Sequence, residues 1–169
     1  MNKLTLLIGI PGSGKTTYAN KNKKENEIIL SSDTIRQELF GNESSQQDNE
    51  LVFNTLYSKA REYLQKGTDV IIDATNINSY YRHQTLKHFK DLNIQKVAIV
   101  FDTPIKTCIQ RDKKRNRTVG LAVIEKMISR YQVPTEQEGF DKIFIFANNE
   151  LKPLNNNEKV YWFYSKIMI

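Results

Sequence analysis

Five short apolar runs punctuate the chain: Leu4–Ile8, Glu27–Leu30, Val70–Asp73, Gln95–Phe101 and Lys142–Phe146. They are rich in Val, Ile, Leu and Phe and do not alternate cleanly with polar residues, the pattern of strands covered on both faces. Between them the apolar positions shift to a helical period. The pattern predicts helices over Gly14–Lys24, Asp33–Phe40, Asp48–Lys66, Tyr80–Asp91, Ile105–Lys114 and Val119–Tyr131. Asp33 is a favoured cap residue, Gly67 ends the long third helix, and Pro134 follows the sixth. Strands alternating with helices imply an α/β fold with a central parallel sheet of about five strands, flanked by helices on both faces. The last stretch, NNNEKVYWFYSKIMI, reads as a closing helix capped by an Asn, with its aromatics packing.

Composition narrows the class. With 169 residues, no repeat, no low-complexity tract and no Pro/Gly-rich linker, residues 1–169 are expected to form one domain. Hydrophobic residues make up 39%, enough for a core, yet no run approaches the roughly 20 apolar residues of a spanning helix. The first apolar run leads straight into a glycine turn, unlike a signal peptide. The single cysteine, Cys108, excludes an internal disulfide framework and fits a reducing compartment, so a cytoplasmic protein without a membrane partner is expected. Cys108 lies in a helical stretch and reads as a small core residue.

The net charge of +6 is concentrated: Lys106–Arg117 holds six basic residues against Asp112 alone. Such a cluster suits an anionic partner, whether nucleotide, nucleic acid or another phosphorylated molecule; otherwise it is a solvated helix face.

Chemistry enters with Gly9-Ile10-Pro11-Gly12-Ser13-Gly14-Lys15-Thr16, which satisfies the pattern G-x-x-x-x-G-K-S/T between a strand and a helix. Glycines let the backbone curl so that successive N–H groups, including those of Gly12, Ser13 and Gly14, face phosphate oxygens. The helix that follows adds its positive end. Lys15 supplies a charge to the β- and γ-phosphates, and the Thr16 hydroxyl is a hard ligand for Mg²⁺. ATP with Mg²⁺ is the expected occupant. Thr17 is either a further phosphate contact or a cap.

Asp33 stands just past the second strand, with Arg36 one helical turn on and on the same side. Ligands of open α/β sheets sit beyond the carboxyl ends of the strands. A carboxylate there can take the proton of a hydroxyl attacking phosphorus, and an arginine can clamp an anionic group on the acceptor. The plainer alternative makes Asp33 a helix cap and Arg36 a surface residue. Asp73 ends the third strand, where a carboxylate can help hold Mg²⁺. Asn76 is expected to fix the adjoining loop, and Arg82 to be structural. Arg111 and Arg115, four apart, can fold over a transferring phosphoryl group as a helical lid. Lys113, Lys114 and Arg117 read as solvated or as loose phosphate contacts. Phe53, Tyr57 and Tyr63 could stack on a base but fit a core better.

GxPGSGKTT, SSDxxR, DATN, RxxxR and PTEQEGFDKI, taken together over residues 3–146, resemble the polynucleotide 5′-hydroxyl kinases. The resemblance implies a P-loop phosphotransferase fold and transfer of the ATP γ-phosphate to the 5′-hydroxyl end of RNA or DNA. On the matching positions, it implies that Lys15 and Thr16 handle ATP and Mg²⁺, that Asp33 is the general base, and that Arg36 clamps the acceptor's 3′-phosphate. It also implies that Arg111 and Arg115 are lid arginines on the nucleotide and that Gln46 is a polar acceptor-side residue. Larger members carry phosphatase or ligase domains; for this chain such activities are expected to reside in separate proteins or to be absent. Two alternatives remain: a P-loop kinase acting on a small molecule or a tRNA-linked hydroxyl, and a non-enzymatic ATP-binding switch.

Overall fold

A computed structural model of the chain describes residues 1–154. The closing helix expected after Leu154 lies outside the described residues. Strands β1 (Asn2–Ile8), β2 (Glu27–Ser31), β3 (Asp69–Asp73), β4 (Ile94–Phe101), β5 (Lys142–Ala147) and β6 (Glu150–Pro153) form one sheet, ordered β2-β3-β1-β4-β5-β6. The first five run parallel, as their buried apolar sequences predict. Helices α1 (Lys15–Asn22), α2 (Ser32–Phe40), α3 (Asn49–Gln65), α4 (Ser79–Lys87), α5 (Ile105–Lys113) and α6 (Leu121–Ser129) complete the α/β architecture. None of the described helices is long and apolar enough to cross a membrane.

Two differences from the sequence reading have local causes. Helix α4 stops at Lys87 instead of reaching Asp91, because the chain tightens into i→i+3 turns, with His88 N–H on Thr85 and Phe89 N–H on Leu86. That turn seats Phe89 in the core with no exposure. Strand β6 pairs antiparallel with β5 and has no apolar signal, since all four residues are exposed. The two strands are joined by Asn148 and Asn149, both at positive φ (51° and 61°), a conformation that Asn tolerates and that two-residue hairpins favour. Lys152 and Pro153 on this edge discourage further strand pairing.

The sheet is covered on both faces. On one, Val52, Leu56, Ala60 and Leu64 recur every four residues along α3 and pack over Leu4, Leu6, Ile8, Val70, Ile72 and Val100. On the other, Ala19 and Tyr18 of α1 meet Leu7, Ile71, Val97, Ile99 and Phe101. A third cluster, built from Ile10, Ile77, Ile105, Cys108 and Ile124, ties α5 and α6 to the turn after β1. Cys108 is fully buried there, as a core residue.

β1 lies between β3 and β4. The chain leaving β1 runs to the β2 side, whereas the chain leaving β4 runs to the β5 side. Their divergence opens a crevice at the carboxyl edge of the sheet.

The rim of this crevice is braced by an ion pair inside the fold. Arg82 has no exposure; its Nε and Nη2 donate to Glu138 at 2.8 and 2.7 Å, and its Nη1 donates to the Asn76 carbonyl at 2.9 Å. Asn76 holds φ at 50° and donates its side-chain amide to the Leu7 carbonyl. Asn76 thus fixes the turn after β3, and Arg82 is structural. Removing one partner of a buried pair strands the other charge. Glu138→Ala is therefore expected to cost about 3–5 kcal/mol in urea unfolding, whereas the double change Arg82→Met with Glu138→Leu should recover most of it.

Candidate active site

The segment after β1 curls back on itself because Gly12 and Gly14 take φ of 79° and 97°. At Gly12 only a glycine fits: a Cβ would lie 2.4 Å from the Cys108 carbonyl oxygen. The Gly9 N–H is held by the Thr75 carbonyl at 3.0 Å, and the Thr103 hydroxyl donates to the Ser13 carbonyl at 2.7 Å. The turn is thus fixed to the chain after β3 and after β4 at once. Gly14 occupies the cap position of α1, so Thr17 lies inside the first turn and is no cap; it lines the cavity.

Lys15 folds back over this turn. Its Nζ donates to the carbonyls of Gly9 (2.9 Å) and Ile10 (3.1 Å) and lies 3.5 Å from Ser13 Oγ. Burial lowers its pKa to about 8, against the opposing pull of the Asp73 carboxylate. One residue on, Thr16 Oγ1 donates to Asp73 Oδ2 at 2.7 Å. A hydroxyl and a carboxylate in contact, both hard oxygen donors, fit Mg²⁺, which takes one or two protein oxygens and fills its shell with phosphate and water. Thr16 and Asp73 are the residues that would hold it. Among the described residues no three His, Cys, Asp or Glu side chains cluster as a metal cage.

Facing this turn across one cavity are Asp33, Arg36 and Gln46. The cavity encloses about 1520 Å³. Sites for one small ligand span roughly 300–1,000 Å³, so there is room for two substrates. Asp33 is not the cap of α2: that position belongs to Ser31. Its carboxylate instead accepts from Arg36 Nη1 at 3.2 Å. Arg36 is buried, lies over the Phe53 ring, and donates through Nη2 to Asn49 Oδ1 at 3.2 Å. Asn49 in turn donates to Gln46 Oε1 at 2.9 Å. Arg36 Nε is buried and meets no acceptor among the described residues. Phe53 lines the cavity, whereas Tyr57 and Tyr63 pack against the core.

The basic segment closes the third side. Arg111 Nη1 donates to the Gly12 carbonyl at 3.2 Å, placing a cation on the phosphate turn. Arg115 also lines the cavity, but α5 ends at Lys113, so the two arginines do not share one regular helix face. Buried Asp112 sets the course of the chain beyond, accepting from the N–H groups of Val119 (2.9 Å) and Gly120 (2.9 Å). Lys113 and Lys114 are exposed, as expected. Arg117 is not a solvated side chain: Nη1 lies 3.2 Å from Asp33 Oδ2 and 3.2 Å from Glu43 Oε1. Burial works against its charge, but the two carboxylates outweigh burial and raise its pKa. Arg117, Glu43 and Asn49 escape a reading by short-range spacing, because the contacts that tie Asn49 to Arg36 and Arg117 to Asp33 and Glu43 span 13 to 84 residues and no periodicity connects them.

The family model described as an AAA domain matches residues 4–134, and the chain belongs to that family. Among curated proteins it is 28% identical over 147 residues to the transcription factor bHLH140 of Arabidopsis thaliana, covering 83% of this chain and 15% of that protein. It is 24% identical over 144 residues to the L-seryl-tRNA(Sec) kinase of Methanococcus maripaludis, covering 82% of this chain and 56% of the kinase. The chain thus spans little more than half the length of that kinase, and far less of the plant protein. A chain in the Pnkp1/Rnl/Hen1 RNA repair complex superposes with a TM-score of 0.69 at 25% identity, over 90% of this chain and 48% of that one. The fold is that of the P-loop kinases, and it supports a nucleotide as ligand.

The lowered pKa of Lys15 sets a pH dependence. Phosphate oxygens favour the ammonium form, so binding raises a pKa that burial had depressed. At about pH 9, ATP binding is therefore expected to take up a proton, and affinity should fall as pH rises above about 8. Calorimetry in two buffers of different ionisation enthalpy measures this; release of a proton, or no exchange, contradicts it.

Proposed function

We propose that the protein is an ATP-dependent kinase that phosphorylates the 5′-hydroxyl end of RNA or DNA. The observation that carries this reading is the position of the Asp33–Arg36 pair, which shares one cavity with the phosphate turn but stands on a different strand end. A carboxylate and a guanidinium held there form an acceptor side opposite a donor side. Arg36 lines the cavity, and its guanidinium fork suits an anionic acceptor group. The likeness to a chain of an RNA repair complex supports a polynucleotide acceptor.

In this reading the N–H groups of Gly12, Ser13 and Gly14 cradle the nucleotide phosphates, while Lys15 leaves the carbonyls of Gly9 and Ile10 for the β- and γ-phosphates. Thr17 adds a phosphate contact. Mg²⁺ on Thr16 and Asp73 would neutralise charge on the phosphate oxygens. Asp33 accepts the proton of the acceptor hydroxyl as its oxygen bonds to the γ-phosphorus, and the bond to the β-phosphate oxygen breaks in line. Arg36 anchors the 3′-phosphate of the terminal nucleoside, and Gln46 steadies it through Asn49. Arg111 and Arg115 spread over the transferring group and exclude water.

A second reading, transfer to a tRNA-linked hydroxyl, is favoured by the likeness to L-seryl-tRNA(Sec) kinase. It uses the same base and the same donor side. A non-enzymatic switch has no use for a carboxylate held beside the γ-phosphate position.

Transfer of labelled γ-phosphate to a 5′-hydroxyl oligonucleotide, as RNA and as DNA, and to seryl-tRNA separates these readings. Label on either supports the polynucleotide kinase; label on seryl-tRNA alone supports the second reading; ATP binding without any transfer supports a switch. Asp33→Asn is expected to lower transfer about 10²-fold or more with ATP binding kept, as loss of a general base does. Arg36→Ala should cost about 10- to 100-fold with acceptors bearing a 3′-phosphate, the worth of a charged hydrogen bond. An equal loss with acceptors lacking that phosphate would remove its clamp role.

A further inference from the structure

Both oxygens of Asp33 are engaged, and by different arginines. Oδ1 accepts from Arg36 at 3.2 Å and Oδ2 from Arg117 at 3.2 Å. Arg36 belongs to the same helix as Asp33, so its hold is local. Arg117 comes from the far side of the cavity, and it reaches past Asp33 to Glu43 in the segment between α2 and α3, at 3.2 Å. One guanidinium therefore spans the acceptor side of the cavity and joins the lid to the opposite wall.

The contact is built. Asp112 is 2% exposed and takes the N–H groups of Val119 and Gly120, which fixes the main chain just beyond Arg117. Over that fixed chain, the long arginine stem can swing its head without unfolding anything. The head is half-buried, its side chain 28% exposed, so it is within reach of an incoming group. Each carboxylate here meets Arg117 through Nη1 alone, whereas a phosphate entering the same space can take the guanidinium fork bidentately, and that is the stronger arrangement.

We propose that Arg117 is a positioning residue that holds Asp33 idle until the acceptor arrives. With the acceptor side empty, Arg117 occupies the lone pairs through which Asp33 would take a proton. Water that enters beside the γ-phosphate then finds no base, and ATP is spared. An acceptor phosphate draws Arg117 off Asp33 and Glu43, and the freed carboxylate faces the acceptor hydroxyl. Arg117 thereby links acceptor recognition to base activation. This inference rests on Asp33 being the base of the proposed kinase, but not on the acceptor being a polynucleotide.

The idle reaction gives the test. In it the water oxygen bonds to the γ-phosphorus, ADP leaves with the bridging oxygen, and the water proton passes to Asp33. ATP hydrolysis without acceptor is measured for the wild type, Arg117→Gln, Asp33→Asn and the double variant. Arg117→Gln is expected to raise hydrolysis about tenfold, a fraction of what a general base supplies, and the rise should vanish in the double variant. A merely structural role would not make the effect of Arg117 depend on Asp33. If Arg117→Gln melts early, Arg117→Met removes the charge and keeps the apolar stem, and it should raise hydrolysis in the same way. No rise in either folded variant, or a rise that survives Asp33→Asn, overturns the proposal. A nucleoside 3′-phosphate without a 5′-hydroxyl is then added to the wild type. Stimulated hydrolysis supports the latch and the acceptor reading together. A rise in Arg117→Gln without stimulation supports the latch and sets the 3′-phosphate reading aside.

Discussion

The parallel pairing of β1 with β3 decides where Lys15, Thr16 and Asp73 stand. Leu7 lies opposite Asp73, and Ser31 of β2 lies opposite the same residue. The three strands therefore end level, and the chain leaves each of them at the same edge. From β1 it curls into the phosphate turn, from β2 it rises into the helix bearing Asp33 and Arg36, and from β3 it delivers Asp73. Register in a sheet is all or nothing: a slip of one residue would turn the buried set of β3 to the wrong face and carry Asp73 away from Thr16. The hydrophobic load on both faces of β1 and β3 is what forbids that slip.

Around this frame the charges of the site satisfy one another. Lys15 lies on the carbonyls of Gly9 and Ile10, Arg111 on the carbonyl of Gly12, and Arg36 and Arg117 on Asp33. Each of these contacts uses a donor that a phosphate could take over. Buried polar groups demand partners, and these contacts supply them within the cavity wall.

Much of this was legible in the chain. The five parallel strands stood out because burial on both faces forces unbroken apolar runs, and the phosphate turn because its glycines and lysine are adjacent. The pairing of Asp33 with Arg36 followed from one helical turn of spacing. The features that escaped have no local pattern. β6 is an edge strand with nothing buried, so it offers no periodicity. Arg117 meets a carboxylate 84 residues away, and Arg82 meets Glu138 across 56; only the folded chain brings such groups together. Thr17 and Asp33 both carry cap-forming side chains, and the caps went instead to Gly14 and Ser31 because the turns before them set where each helix starts.

The close approach of Gly12 to Cys108 has a mechanical meaning. The phosphate turn and the stem of the lid touch through main chain, with no side chain between them to act as a cushion. A side chain at Gly12 would force the two apart, so the curl of the phosphate turn and the course of α5 are set together. One added methyl group would displace both.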